Sequence, residues 1–285
     1  MNIKEHNNIV VLFDEHATPT FGASRQKDYF VGVGVTYNLE DEKNIFSTCE
    51  KLFGLSNPTP LKNHKIGNSR AVEISKLLIK LPIQIIISKL NLTDKNFEER
   101  VKLYEELGSH MRPIHRNVSG RRIAHILHSR ILDAALFESI CHHLESVNKS
   151  SIFEIYIDNW SIPESDKDIV LKYTSESLEE QITELHNSFF PNISIITKPL
   201  ELLVVDSLRK RFVDVVTSVV SRAIPLDSKM SSEEPLKIIL SNPINFEKDY
   251  TQEAMETLQV VMDDVSRDTE NMAYNYLSKM KSKSV

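Results

Sequence analysis

The sequence predicts an α/β protein, with a mixed five-stranded sheet flanked by helices and a C-terminal helical extension. Two observations lead to this fold class. Short apolar runs rich in β-branched residues recur along the chain, as expected for buried strands. Longer segments with apolar residues at helical spacing lie between the later runs.

Five apolar runs predict the strands. The first run ends at Asp14-Glu15, and the second contains Gly32 and Gly34, which are typical of a bend or a close approach of the backbone. The predicted strands are 8–13, 29–37, 83–90, 152–157 and 193–197.

Helical spacing of apolar residues predicts the elements between these strands, whereas residues 38–68 mix helical and loop signals. The predicted helices are 69–80, 94–107, 121–147, 167–189 and 207–223. A linker is predicted at 225–235, followed by a C-terminal helix at about 251–280 whose apolar residues form one stripe. That stripe packs against the same chain by default, and a homodimer or a partner protein is the alternative.

The order of these elements is three strands, helices, and then two strands that each follow a helix. The first three strands can pair as an antiparallel meander, and the later two can add in parallel through right-handed crossovers. This is the element order of an RNase-H-like core. We therefore expect an RNase-H-like domain over 1–224, with a helical insertion at about 94–147, and an extension over 225–285.

Composition sets limits on the function. The net charge of −6 excludes a polycation, so any contact with nucleic acid must come from a local basic patch. The two cysteines, Cys49 and Cys141, are too few for a disulfide framework or a four-cysteine zinc site. No apolar run is long enough for a membrane span, and we expect a cytoplasmic protein.

Three aspartates stand where an RNase-H-like sheet would bring them together. Asp14 and Asp158 each end a predicted strand, and Asp214 lies in the helix after the fifth strand. Glu15 and Asp206 are further candidates. Strand alternation directs Glu15 away from Asp14 unless the strand bulges, and Asp206 is also typical of a helix N-cap before Ser207.

Carboxylates gathered in this way have a chemical purpose if they hold a cation. Mg²⁺ and Mn²⁺ prefer oxygen ligands, and two such ions can activate a water and stabilise the leaving oxygen during phosphodiester hydrolysis. The alternative for each residue is structural, because acidic residues after strands are common in turns. Asp214 in particular is followed one turn later by Thr217 and Ser218, so it is also compatible with a solvated helix face.

The sequence resembles the bacterial domain-of-unknown-function family 3800, whose members are regarded as RNase-H-like nucleases. The resemblance covers about residues 8–224 and rests on short motifs. They are the strand that ends in Asp14-Glu15, the Phe/Gly-rich second strand at 29–35, the strand that ends in Asp158, and Asp206-Ser207 followed by Arg211-Phe212-Val213-Asp214. The resemblance implies a metal-dependent nuclease and, less directly, a role in mobile elements or antiviral defence.

Two departures from the family pattern concern the neighbours of the acids. The family's Asp-Glu-Ser-Gly is Asp14-Glu15-His16-Ala17 here, and its Gln-Leu-Ala-Asp is Arg211-Phe212-Val213-Asp214. The acids are retained, which keeps the metal site, while the changed neighbours leave the substrate preference open.

A segment without acidic residues, 107–132, is a candidate surface for nucleic acid. Arginines in it can bind phosphates, and a solvated helix face is the alternative reading. A loop near residue 62 adds two lysines. The candidate phosphate-binding residues are Arg112, Arg116, Arg121, Arg122, Lys62 and Lys65.

Three functions are therefore compatible with the sequence. The leading one is a Mg²⁺- or Mn²⁺-dependent nuclease acting on DNA or RNA. The second is an RNase-H-like subunit that binds nucleic acid or protein in a larger complex without cleaving. The third, a histidine-based metalloenzyme built on residues such as His125 and His128, requires at least three converging histidines.

Overall fold

The structure is a computed structural model that describes residues 6–16, 29–56, 66–91, 99, 120–147, 149–158, 167–224, 232–256 and 259. Seven strands form one sheet: β1 (Asn7–His16), β2 (Tyr29–Asn38), β3 (Ile83–Asn91), β4 (Ser151–Ile157), β5 (Ile195–Thr197), β6 (Glu201–Leu202) and β7 (Phe246–Asp249). Six α-helices accompany them: α1 (Glu42–Phe53), α2 (Asn68–Leu78), α3 (Gly120–Val147), α4 (Lys167–Phe189), α5 (Leu208–Ala223) and α6 (Glu234–Leu240).

The sheet is mixed, as the sequence predicts. Its strand order is β5-β4-β1-β2-β3-β7, and β6 also pairs with β4. The meander β1-β2-β3 is antiparallel, whereas β4 runs parallel to β1, and β5 and β6 run parallel to β4. The α/β fold class is thereby confirmed, and this arrangement is compatible with an RNase-H-like fold.

Seven strands are present where five are predicted, and both differences have a local cause. The predicted fifth strand is divided into β5 and β6, with Pro199, which has no N–H to donate to a neighbouring strand, between them. The extra strand β7 pairs in parallel with β3. It has the sequence Phe-Glu-Lys-Asp, so no apolar run marks it, which suits a strand at the edge of a sheet.

Helices cover both faces of the sheet. Helices α1, α2, α5 and α6 bury one face, to which β1 contributes Val10 and Leu12. Helices α3 and α4 bury the other face, to which β1 contributes Ile9 and Val11. The alternation of strand side chains therefore decides which helices an inward-pointing residue of β1 meets.

The two glycines of β2 are positions of close approach, which confirms that prediction. A side-chain carbon at Gly32 would lie 2.6 Å from the ring of Phe13, and one at Gly34 would lie 3.0 Å from Ser139 Oγ on α3. Both distances are shorter than ordinary packing contacts. The glycines therefore allow the end of β1 and helix α3 to lie close to β2.

The C-terminal segment is partly described. Residues 251–256 are helical, and the Thr251 hydroxyl accepts a hydrogen bond from the Asn91 backbone N–H at the end of β3. Most of the predicted helix at 251–280 lies outside the described residues, as does the helix predicted at 94–107 apart from Glu99. Within the part of the chain that the structure describes, no helix combines the length and apolar character needed to cross a membrane.

Candidate metal centre

The parallel pair β1–β4 brings two aspartates to one edge of the sheet. The strands run in register from Asn7 opposite Ser151 to Phe13 opposite Ile157. Asp14 and Asp158 are the next residue on each strand, and the Asp158 N–H donates to the Phe13 carbonyl at 2.9 Å. Both aspartates fall on the alternation of Val10 and Leu12, which is the face that α5 covers.

Glu15 joins these aspartates despite its place in the alternation. One carboxylate oxygen each from Asp14, Glu15 and Asp158 lie within 4.8 Å of one another. The ladder between β1 and β4 ends at Phe13, two residues before Glu15. We infer that Glu15 reaches the aspartates at the end of this ladder, where strand alternation no longer separates the two faces.

Helix α5 supplies the remaining groups. It begins after Ser207, whose hydroxyl accepts a hydrogen bond from the Lys210 N–H at 3.1 Å and so caps the helix. Lys210 and Asp214 are four residues apart, which places them on the same side of the helix. The residues that follow Asp214, Thr217 and Ser218, are buried rather than solvated.

Lys210 extends its ammonium group among the carboxylates. The Lys210 Nζ atom lies 2.8 Å from Asp158 Oδ1 and 3.6 Å from Asp14 Oδ1, and it donates a hydrogen bond to Asp214 Oδ1. One cation thus contacts a carboxylate from each of three separate elements. Asp14 is the most enclosed of the three, with 5% of its surface exposed.

The electrostatics of this cluster oppose ionisation of its acids. Burial raises the pKa of Asp14 well above its ordinary value, and the neighbouring acids raise it further, while Lys210 acts in the opposite direction. Burial and Asp158 raise the pKa of Glu15 to about 8. Burial also raises the pKa of Asp214, again against the effect of Lys210. Crowded acids of this kind are stabilised in the charged form when a cation binds between them.

The donor set fits a hard divalent cation. All the ligand atoms are carboxylate oxygens, which Mg²⁺ and Mn²⁺ prefer. Two oxygens bound to one ion at about 2.1 Å lie roughly 3 to 4 Å apart, so the grouping of Asp14, Glu15 and Asp158 within 4.8 Å needs little rearrangement to hold one. No second group of three or more metal-binding side chains is found among the described residues.

Asp206 lies apart from this cluster. Its carboxylate is 70% exposed and is 3.4 Å from the Arg211 guanidinium, and its φ angle of 68° places it in the left-handed region before α5. Ser207, not Asp206, is the residue that caps α5. The structure therefore brings together Asp14, Glu15, Asp158 and Asp214 of the predicted site residues and leaves Asp206 in an ion pair outside.

The predicted phosphate-binding residues are largely outside the described part of the chain. Lys62, Lys65, Arg112 and Arg116 lie in undescribed segments. For the helical residues Arg121 and Arg122, and for His125 and His128, the structure describes the backbone in α3 and not the side chains.

Lys210 is the site residue that the sequence analysis missed. Its signal was the spacing of Lys210 and Asp214, which is typical of an ion pair along one helix face. That spacing alone predicts a surface pair. Only the register of β1 with β4 shows that the pair points into a group of acids.

A scan of protein-family models and a search of curated proteins found no match to this chain. The fold and the site therefore define its class. It is an α/β protein with a mixed sheet and a carboxylate cluster, at the edge where β1 and β4 end, that could hold a metal ion.

Proposed function

We propose that this protein is a divalent-metal-dependent nuclease that hydrolyses phosphodiester bonds of DNA or RNA. One observation carries the proposal: Asp14, Glu15 and Asp158 bring carboxylate oxygens within 4.8 Å of one another at the strand ends. Asp214 approaches the same place from α5 through its contact with Lys210. Mg²⁺ or Mn²⁺ is the ion we propose, from the oxygen-only donor set.

In this proposal Asp14, Glu15 and Asp158 hold the ion. A divalent ion so placed supplies Lewis acidity towards a phosphate oxygen and makes a bound water more acidic. Asp214 holds Lys210 in place, and the Lys210 ammonium attracts the phosphodiester. The reaction adds water across a P–O bond, so that one product carries a phosphate monoester and the other a hydroxyl group.

The resemblance to the domain-of-unknown-function family 3800 supports the same function. We extend the proposal to membership of that family, a cytoplasmic location, and a role in mobile elements or antiviral defence. The basic segment, with Arg112, Arg116, Arg121 and Arg122, would bind the nucleic-acid backbone, as would Lys62 and Lys65. Neutralising phosphates in this way supplies affinity without sequence preference.

The test is cleavage of labelled single- and double-stranded DNA and RNA, with Mg²⁺, Mn²⁺ or EDTA, by the wild-type protein and Asp14→Asn. We expect cleavage that requires the metal and falls at least ~100-fold in the variant, because several kcal/mol of transition-state stabilisation are lost with the ion. The expected direction does not depend on which nucleic acid is the substrate.

Asp206→Asn is the matched control. It makes the same chemical change at an exposed aspartate outside the cluster, and asparagine tolerates the left-handed backbone there. We expect this variant to cleave at close to the wild-type rate. Cleavage that persists in EDTA, or that Asp14→Asn and Asp206→Asn reduce equally, contradicts the proposal.

A second function is favoured by one observation. Lys210 already contacts three of the acids, which would suit a non-catalytic subunit whose carboxylates are neutralised by its own lysine. Such a subunit would bind nucleic acid or a partner protein without cleaving. Metal-independent binding of the same labelled substrates, measured by gel shift, together with no cleavage in any metal would favour this alternative.

A further inference from the structure

Lys210 lies where a second metal ion would be expected. Two-ion phosphodiesterases place their ions roughly 4 Å apart, with a carboxylate shared between them. Here Asp14 and Asp158 belong to the oxygen group that includes Glu15, and the same two aspartates contact the Lys210 ammonium. The aspartates are therefore shared between the candidate metal position on one side and Lys210 on the other.

We propose that Lys210 is the second cation of this site, so that the chain binds one divalent ion and not two. The single ion is held by Asp14, Glu15 and Asp158, and Asp214 serves to hold Lys210. This inference rests on the proposed function, because it concerns the number of ions in the same site.

The enclosure of Lys210 supports this assignment. Its side chain is 19% exposed, and its ammonium is directed at three carboxylates and away from bulk water. A second divalent ion bound by Asp158 and Asp214 would have to take the place of the ammonium or lie against it. Like charges at such a distance repel strongly in a partly buried site, so one of the two cations excludes the other.

The charge balance leads to the same stoichiometry. Asp14, Glu15, Asp158 and Asp214 offer four negative charges when all are ionised. One divalent ion with Lys210 leaves one negative charge, whereas two divalent ions with Lys210 leave one positive charge in a site enclosed by protein. The aliphatic stem and the cap of α5 fix the lysine at its position, so it needs no binding from solution.

A lysine in this place has a functional consequence. Its ammonium has three N–H donors and remains when metal is removed, so it can bind a phosphate oxygen of the substrate before the ion arrives. The site would then need a single binding event to become active. Its occupancy should rise with metal concentration as a simple one-site curve.

The experiment counts bound Mn²⁺ directly. Equilibrium dialysis with metal analysis, and electron paramagnetic resonance of free Mn²⁺, give the number of ions per chain without any activity measurement. We expect one ion for the wild-type protein, one for Lys210→Arg, and two for Lys210→Met, which keeps the length of the side chain and removes its charge.

Lys248→Met is the matched control. Lys248 also contacts two carboxylates, Glu138 at 2.7 Å and Glu253 at 3.7 Å, at a distance of three strands from β1. Its removal should leave one ion per chain. Asp214→Asn gives a second test that does not require Lys210→Met to fold: one ion should remain, because Asp214 contacts the lysine and is outside the oxygen group that holds the ion.

The possible counts are decisive. Two ions in the wild-type protein overturn this inference and leave the proposed function intact, as does a loss of one ion in Asp214→Asn from a two-ion wild type. No ion in the wild-type protein overturns both the inference and the metal-dependent function. One ion in the wild type that stays one in a folded Lys210→Met overturns the role of the lysine alone.

Discussion

The two ends of the strand pair β1–β4 differ in how they satisfy their polar groups. At the amino end the groups are neutral and hydrogen-bonded: the Asn7 N–H donates to the Ser150 carbonyl, and the Ser151 hydroxyl donates to the Lys149 carbonyl. At the carboxyl end, seven residues later on each strand, Asp14 and Asp158 stand side by side with Glu15. The same ladder thus joins a neutral end to an acidic one.

This difference teaches where stability and function lie in the fold. Hydrogen-bonded neutral groups at the amino end have no need of any other molecule. The acids at the carboxyl end raise one another's pKa and are opposed only by Lys210 among the contacts listed for them by distance. A site that is unfavourable alone and favourable with a bound cation is what metal binding requires.

The largest stability effect is expected at the acidic end. Because burial and Asp158 raise the pKa of Glu15 from 4.5 to about 8, the folded chain keeps a proton there that the unfolded chain releases. Between these two pH values, stability in EDTA should therefore fall as pH rises, by at most about 5 kcal/mol. Urea unfolding at pH 5 and pH 8 measures this fall, and Glu15→Gln should remove most of it.

Mn²⁺ provides the control for that prediction. An ion that binds only the folded state adds stability and favours the ionised carboxylate, so the fall between pH 5 and pH 8 should shrink when Mn²⁺ replaces EDTA. An equal fall in the wild type and Glu15→Gln would show that Glu15 does not cause it.

A smaller effect of opposite sign is expected from His143, which lies over the amino half of β4. Its ring packs edge-on to Phe153, with centroids 5.8 Å apart, and burial lowers its pKa from 6.5 to about 4. The unfolded chain takes up a proton in this range while the folded chain does not. Stability should therefore fall as pH decreases from 6.5 to 4, by at most about 3 kcal/mol.

His143→Phe tests this prediction, because phenylalanine fills a similar volume and does not titrate. The variant should lose less stability than the wild type between pH 6.5 and pH 4, as measured by urea unfolding in EDTA. Parallel pH profiles for the two proteins would exclude His143 as the source.

The sequence predicts the sheet better than it predicts the site. Apolar runs mark β1 to β4 because these strands are buried, and the helical pattern at 167–189 matches α4. Strand β7 escapes prediction because three of its four residues are charged. Periodicity detects burial on a regular element, and an edge strand held by pairing with β3 has little of it.

At the site, the limit is a matter of side-chain reach. Asp14 and Asp158 follow from strand order alone, since parallel neighbours end at the same edge. The approach of Glu15 depends on where the β1–β4 ladder stops, and the position of Lys210 depends on the rotation of α5 over the sheet. Neither the end of a ladder nor the rotation of a helix is written in the local pattern.

The smallest effect is expected from Ser151→Ala at the neutral end. Ser151 is fully buried, and its hydroxyl donates to the Lys149 carbonyl at 2.9 Å. Removing this hydrogen bond should lower the free energy of unfolding by about 1 kcal/mol, with no change in its pH dependence. Asp14→Asn, the corresponding change at the acidic end, should instead raise the stability at pH 8 in EDTA, because burial disfavours the charged carboxylate that it replaces. Unfolding curves that move in the same direction for both variants would mean that the acids are not held in an unfavourable state, and the contrast between the two ends would then be one of composition and not of energy.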